Sequence, residues 1–582
     1  MTSLPRFPYQ DHAVPVNRRV EDLLSRMTLE DKAGQLFQPM AVLGDLDTPG
    51  FMGFPSVREL LSRRITHANI LGPGKVREIA QWHNAIQEEC LKTPLGIPFT
   101  ISSDPRHTFT NNPGAMLAAD EFSAWPEFLA FAALDDVELT RRYADIVRRE
   151  YLAVGIRTAL HPQIDISTDP RWGRTNGTFG EDADIVTRHG VAYIEGLQGD
   201  GVSPTTLSAI AKHFPGGGPQ KDGEDPHFAY GAEQVYPGGQ FDLHLTPFKA
   251  AIKAGVAQMM PYYGKPMGTQ YEEVGFAFNK GILTDLLRGE LGYEGIICSD
   301  WGILNMTFWG VEDLTIPERM AKALDAGVDQ FGGEYSPDVL IDLVRAGTVS
   351  ESRIDESVRR LLKQKFLLGQ FDDARFVDVE KAIHLVGQAD AQKEGFDAQC
   401  ASLTLLKNDE SEHSHAPLLP IPQHYRIYCE GIDPQSPSAP FTCVDSPTQA
   451  DIALIRLQAP YEPRGEVGTL ESFFHAGSLE FSPETITHLR DLAEVVPVVV
   501  DVYLDRPVIL GPIADIASAL IVNYGASDRA LFTVISGQAA PLGRLPFDIP
   551  KSQSAADQQL PDVPFDTENP TFTHGFGLRY RD

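Results

Sequence analysis

Through its first 371 residues the chain repeats one unit: a short apolar run, a polar residue at its end, then a stretch of helical character. Residues 98–104, 156–160, 208–214, 256–263, 295–300 and 327–331 read as strands, with helices over 134–153, 239–254 and 284–291. A strand buried on both faces is a continuous apolar run rather than an alternating one, and parallel sheets covered by helices need such strands. The alternation predicts an α/β barrel or a doubly wound sheet. Asp104, Lys212 with His213, Tyr262 and Asp300 all fall at strand ends. One polar strand end carries no information. A series of them predicts a ring of side chains at the carboxyl-terminal face of a barrel.

The run 295–302, Gly-Ile-Ile-Cys-Ser-Asp-Trp-Gly, shows the unit most plainly. An apolar strand ends in a carboxylate, an aromatic platform and a turn. Asp300 reads equally well there as the cap of a following helix. Nearer the start, residues 20–37 read as one helix, with Thr28 and Asp31 resembling a helix start.

A helix at 359–371 closes this half, and the polar stretch 372–397 reads as a linker. From 398 to 582 a second, smaller α/β pattern follows, with strands at 402–407, 453–457, 496–503 and 519–523 and a helix at 483–494. His413 and His415 sit in a proline-containing loop and read as solvated rather than metal-bound. No internal repeat appears.

Composition narrows the partners. A formal net charge of −31 argues against nucleic acid and anionic membrane surfaces. No window approaches the roughly 18 uninterrupted apolar residues of a membrane span. Residues 1–17 lack an apolar core of signal-peptide length. Five cysteines are too few, and odd in number, for a disulfide framework, and Cys298 lies inside an apolar strand. A reducing, cytoplasmic setting is the expectation.

No zinc spacing, no Walker loop and no nucleophile elbow is present, and Gly216-Gly217-Gly218 does not match a dinucleotide fingerprint. No metal and no cofactor is expected. What remains are carboxylates, aromatics and basic groups. Lys212 and His213 are adjacent, so a regular strand would point them to opposite sides, unless a kink before Pro215 turns both to the mouth. The loop Asp169-Pro170-Arg171-Trp172-Gly173-Arg174, continuing to Phe179-Gly180-Glu181-Asp182, is either tied by its own ion pairs or built to grip a ligand. Trp301 beside Asp300 offers a face for a sugar. Acids, Lys, Arg, His and Trp without a cofactor suit a neutral polyhydroxylated substrate. The reaction that needs only a pair of carboxyl groups is glycoside hydrolysis.

These motifs, taken together and in order, resemble glycoside hydrolase family 3. The resemblance is carried by Asp169 to Arg174 with Gly180-Glu181-Asp182, Lys212-His213-Phe214-Pro215-Gly216, and Ser299-Asp300-Trp301. The opening helix Val20-Glu21-Asp22-Leu23-Leu24 to Lys32 and the closing Gly575-Phe576-Gly577-Leu578 extend it over nearly the whole chain. It implies a (β/α)8-like TIM barrel over 1–371 and an αβα sandwich over 398–582.

By motif, Asp300 resembles the nucleophile, Asp104 the residue that grips outer sugar hydroxyls, and Arg174, Lys212 and His213 the other ligands of the terminal sugar. Tyr262 resembles the tyrosine that supports the nucleophile, and Trp301 would line the entrance. The acid/base implied for a β-glucosidase is a Glu on a second-domain loop, here Glu462, with Glu466 and Glu471 on the same loop. An apolar wall would keep such an acid protonated near neutral pH. Asp225-Pro226-His227 is similar to the Asp-x-His acid/base of the family's N-acetylglucosaminidase branch. The resemblance thus implies an exo-acting, retaining β-glycosidase, foremost a β-glucosidase, acting on a small-molecule or oligosaccharide β-glycoside. The alternatives are a β-N-acetylhexosaminidase or phosphorylase, and a non-catalytic sugar-binding homologue.

Overall fold

The computed structural model describes residues 7–50, 53–110, 116–410, 416–433 and 441–580. His413 and His415 lie outside them. The first half is built on β1 (Phe37–Gln38), β2 (Met40–Val42), β3 (His67–Leu71), β4 (Thr100–Ser103), β5 (Ile156–Ala159) and β6 (Ser208–Phe214). After β7 (Glu233–Val235) come β8 (Gln258–Pro261), β9 (Lys265–Met267), β10 (Ile296–Ile297) and β11 (Phe331–Gly332). Parallel pairing runs β2-β3-β4-β5-β6-β8-β10. Cys298 then bridges to Gln330 beside β11, and β11 pairs with β1 through Phe37 and Phe331. With β1 and β2 counted as one strand broken at Pro39, the ring closes on eight strands. β7 and β9 form a separate parallel ribbon.

Closure needed two strands that the sequence did not announce. Residues 20–37 are not one helix. Helices Val16–Leu24 and Leu29–Gln35 are separated at Thr28, and Phe37 starts β1. Thr28 Oγ1 accepts from the Asp31 amide at 3.2 Å, and the Asp31 carboxylate accepts from the Thr28 amide at 3.1 Å. The other strand, β3, carries His67 and Asn69 among its buried residues, so it lacks the apolar signature of its neighbours.

The stretch 372–397 is not a free linker either. It holds the short turn Asp373–Arg375, the helix Val379–Leu385 and most of the helix Ala389–Ser402. Arg19 grips Asp372 through two bonds of 2.8 and 2.7 Å, and Asn84 donates to the Val377 carbonyl at 2.8 Å. Its polarity is that of a helix face turned to water, which a polar composition cannot separate from a linker.

The second half is one six-stranded sheet of β12 (Thr404–Asn408), β13 (Arg426–Glu430), β14 (Thr442–Cys443), β15 (Ile452–Gln458), β16 (Val498–Tyr503) and β17 (Ala519–Asn523). The order is β12-β17-β16-β15-β13-β14, parallel except for the β12–β17 pair. Val498, Val500 and Val502 face Leu489, Leu492 and Ile513 on one side, while Val499 and Ile521 face Leu531, Val534 and Ile535 on the other. Apolar contacts on both faces make an αβα sandwich. Leu129, Ala130 and Ala133, from the helix Phe128–Leu134 of the barrel half, belong to the sandwich core. The two halves therefore share a hydrophobic seam, and each fully buried leucine in it contributes about 1.5–3 kcal/mol.

Chain returning from the sandwich clasps the barrel. The Glu181 carboxylate accepts from the amides of Asp548 at 2.5 Å and Phe565 at 3.0 Å. Asp562 accepts from Gly238 and Gln240, both at 2.8 Å. Gly180 has φ +88°, and a Cβ there would lie 2.3 Å from the Pro546 carbonyl oxygen, so only glycine fits. The dense 169–182 motif is thus largely a clasp between the halves. Among the described residues, no helix is long and apolar enough to cross a membrane.

Candidate active site

The polar strand ends meet at one end of the barrel. Asp104, just beyond β4, receives Lys212 Nζ on Oδ1 at 2.9 Å and Asn69 Nδ2 on Oδ2 at 3.2 Å. Lys212 is buried, whereas the Asp104 side chain is 34% exposed, so the pair reaches the surface on its Asp104 side. β6 shifts register against β8 between Lys212 and Phe214, which makes His213 the extra residue of a bulge. A bulge re-aims a side chain that a regular strand would send to the opposite face. That is how two neighbours both reach the mouth.

His213 is fixed from both sides. Its Nδ1 lies 2.8 Å from Asp165 Oδ2, and its Nε2 lies 3.1 Å from Arg174 Nη1. Asp165 Oδ1 also accepts from the amides of His213 at 3.0 Å and Gly217 at 2.6 Å. Burial, with the Arg174 charge alongside, holds His213 well below the usual histidine range. A neutral ring that donates from Nδ1 to Asp165 and accepts at Nε2 from Arg174 satisfies the whole network.

Asp300 follows β10 and is 7% exposed. Its Oδ1 accepts from Tyr263 Oη at 2.8 Å and from the Trp301 amide at 2.8 Å. Its Oδ2 has no hydrogen-bond partner among the described residues and lies 3.7 Å from His213 Nε2. One oxygen is anchored and the other is left beside the His213 ring.

Beside these groups is a second carboxylate hub. Asp225 Oδ2 accepts from Trp172 Nε1 and from Tyr262 Oη, both at 3.0 Å, and Oδ1 holds His227 Nδ1 at 2.6 Å. Burial alone would raise the Asp225 carboxyl, but His227 and Arg174 beside it hold it well below the ordinary carboxylate range. The His227 ring packs between Tyr263, at 4.7 Å between centroids, and Phe474 of the second domain, at 4.8 Å.

Residues 28–364 match the model of the glycosyl hydrolase family 3 N-terminal domain, and residues 380–580 match that of its C-terminal domain. The chain belongs to glycosyl hydrolase family 3. It is 47% identical to "Beta-glucosidase C" of Emericella nidulans, over 99% of this chain and 94% of that protein. It is 39% identical to a "Periplasmic beta-glucosidase/beta-xylosidase" of Dickeya chrysanthemi, over 98% of this chain and 91% of that one. In fold it superposes on an exo-1,3/1,4-beta-glucanase from a Pseudoalteromonas species with a TM-score of 0.80 at 24% identity, covering 100% of this chain and 97% of the other.

Against the family 3 pattern, the structure brings Asp104, Arg174, Lys212, His213 and Asp300 into one cluster. The tyrosine role needs a correction. The hydroxyl on Asp300 belongs to Tyr263, while Tyr262 donates to Asp225 and receives Arg174 Nη1 at 3.4 Å. Both tyrosines follow Pro261 at the end of β8, and the sequence has no signal that tells one from the next. Trp301 is half-buried and its carbonyl accepts from Tyr263 at 2.9 Å. Sequence reading also passed over Asn69, Asp165 and Tyr263 as contributors. Asp165 lies in the polar run after β5, a position the barrel logic marks.

Glu462 is exposed, its Oε1 accepts from the Ser478 amide at 3.2 Å, and among the described residues no hydrogen bond joins it to this cluster. Glu466 is exposed. Glu471 accepts from Tyr230 Oη at 2.8 Å. Arg464 forms a two-pronged ion pair with Glu224, one bond at 2.9 Å. These contacts lay the second-domain loop over the 221–231 loop that carries His227.

Proposed function

We propose that this family 3 chain is an exo-acting, retaining β-glucosidase working through a covalent glycosyl-enzyme on Asp300. The observation that carries the reading is the asymmetry of the Asp300 carboxylate, with two donors on Oδ1 and none on Oδ2. The bonded oxygen fixes the group. The free oxygen attacks the anomeric carbon as the leaving group takes a proton, and water then releases the sugar with retention. Asp104, Lys212, His213 and Arg174 supply ligands for the terminal sugar's hydroxyls. The likeness to named β-glucosidases supports glucose as the sugar.

For the proton transfer we favour His227. Asp225 holds Nδ1, leaving Nε2 to carry the proton, and the ring packs on the tyrosine that binds Asp300. Glu462, the glucosidase-type candidate, is exposed and bonded to backbone. The same dyad supports a second reading, a β-N-acetylhexosaminidase or phosphorylase.

The deciding experiment assays His227→Ala and Glu462→Ala with an activated aryl β-glucoside, with and without azide. The expected result is a loss of about 100-fold or more for His227→Ala, recovered by azide as the glycosyl azide, against a few-fold for Glu462→Ala. The reverse pattern assigns the role to the second-domain loop. Higher kcat/KM on the aryl N-acetylglucosaminide, or phosphate-dependent cleavage, converts the substrate reading. No turnover of any aryl glycoside leaves sugar binding alone. We also propose a reducing, cytoplasmic setting, supported by the buried thiols of Cys90, Cys298 and Cys400.

A further inference from the structure

A second pocket of about 430 Å³ opens where the sandwich meets the barrel. Strand ends from the sandwich line it: Arg456 and Gln458 on β15, Tyr503 and Asp505 at the end of β16, Asn523 on β17. In open α/β sheets, ligands sit outside the carboxyl ends of the parallel strands. Tyr461, Phe473 and His475 come from the second-domain loop, and Phe109 and Thr110 from the barrel. Asp104, Arg174, Lys212 and Asp300 do not line it.

Polar capacity is left unused here. Asp505 is 4% exposed; its Oδ2 is taken by His475 Nδ1, and its Oδ1 has no partner among the described residues. Arg456 spends Nε on Asp501 and Nη1 on Asp528, both at 2.6 Å, and its buried Nη2 also lacks a partner. The lining residues thus include a buried carboxylate oxygen and a buried guanidinium nitrogen without a partner among the described residues. Tyr461 stacks one face on His475 at 3.8 Å and 8° and is 40% exposed, while Phe109 is 43% exposed. An exposed aromatic plate in a pocket lined by Gln458, Asn523, Arg456 and Asp505 matches a ring with an apolar face and several hydroxyls. The volume falls within the range of about 300–1,000 Å³ found for small-molecule sites.

We propose that this seam pocket is a second carbohydrate site, binding a neutral mono- or disaccharide apart from the Asp300 pocket. It rests on the reading of the chain as a sugar-handling enzyme. One segment joins the two sites: Arg174 faces His213, while a Cβ on Gly173 would lie 2.3 Å from the His475 carbonyl oxygen, behind the seam pocket.

The test is titration calorimetry with D-glucose and with the S-linked analogue of cellobiose, on wild type, Asp104→Ala, Tyr461→Ala and Asp505→Asn. Circular dichroism checks each fold. Two sites per chain are expected in wild type. Asp104→Ala should weaken one, and Tyr461→Ala and Asp505→Asn should weaken the other by tenfold or more. A single site with both sugars, or a second site untouched by both seam variants, overturns the proposal. Failure of the underlying enzymatic reading shows separately, as absent turnover of aryl glycosides by wild type.

Discussion

At the scale of single residues, the anchored half of Asp300 matters as much as the free half. Asp300→Asn keeps the shape and removes the proposed nucleophile, so kcat on an aryl β-glucoside should fall by about 1,000-fold or more with the fold intact by circular dichroism. A charge-assisted hydrogen bond contributes about 1.5–3 kcal/mol, so Tyr263→Phe should cost roughly 10–150-fold in kcat/KM. Tyr262→Phe removes a donor to Asp225 and should act less on Asp300. Equal losses in both variants would mean that the Tyr263 bond has no special role. The choice between these adjacent tyrosines was invisible in the sequence, because it depends on how β8 ends against β6 and β10.

At the scale of elements, the bulge in β6 brings two neighbouring side chains, Lys212 and His213, to one side. Asp165 holds it through three bonds, to the His213 amide, the His213 ring and the Gly217 amide. Asp165→Ala leaves those donors buried and unpaired. It should lower stability by about 2–5 kcal/mol, seen as a lower urea midpoint, and lower activity with it. The Lys-His motif was legible as a strand end facing the mouth. The device that turns both residues inward was not, since a bulge is set by the neighbouring strand's register. The helices inside 372–397 were missed for a related reason: their polar face is what the composition shows, and their packing on the barrel is not.

At the scale of the whole molecule, buried carboxyls at the seam couple stability to pH. Burial pushes Glu127 up to about 7 and Glu181 up to about 8 from an ordinary 4.5. The native state thus keeps protons that the unfolded chain releases near pH 4.5. The contribution of these two groups to stability is greatest below that value and is lost as pH rises toward 7–8. Glu127 Oε1 accepts from Tyr503 at 2.7 Å and from Thr110, whereas Oε2 has no partner among the described residues. A glutamine keeps the accepting oxygen and removes the ionisation. Glu127→Gln should match wild type in thermal stability at pH 4 and exceed it at pH 8, by at most about 3 kcal/mol. A constant difference across that range would show that Glu127 ionises freely.

What the sequence alone determined was the plan: two α/β halves, a barrel before a sandwich, and the strand-end residues of the proposed sugar site. These follow from local apolar runs and from motifs that each lie within one segment. The tertiary structure decided ring closure through β1, β2 and β3, the tyrosine that binds Asp300, the clasp role of Glu181, and the exposed setting of Glu462. Each depends on contacts between residues far apart in the chain, and register and packing at such distances leave no local trace in composition or period.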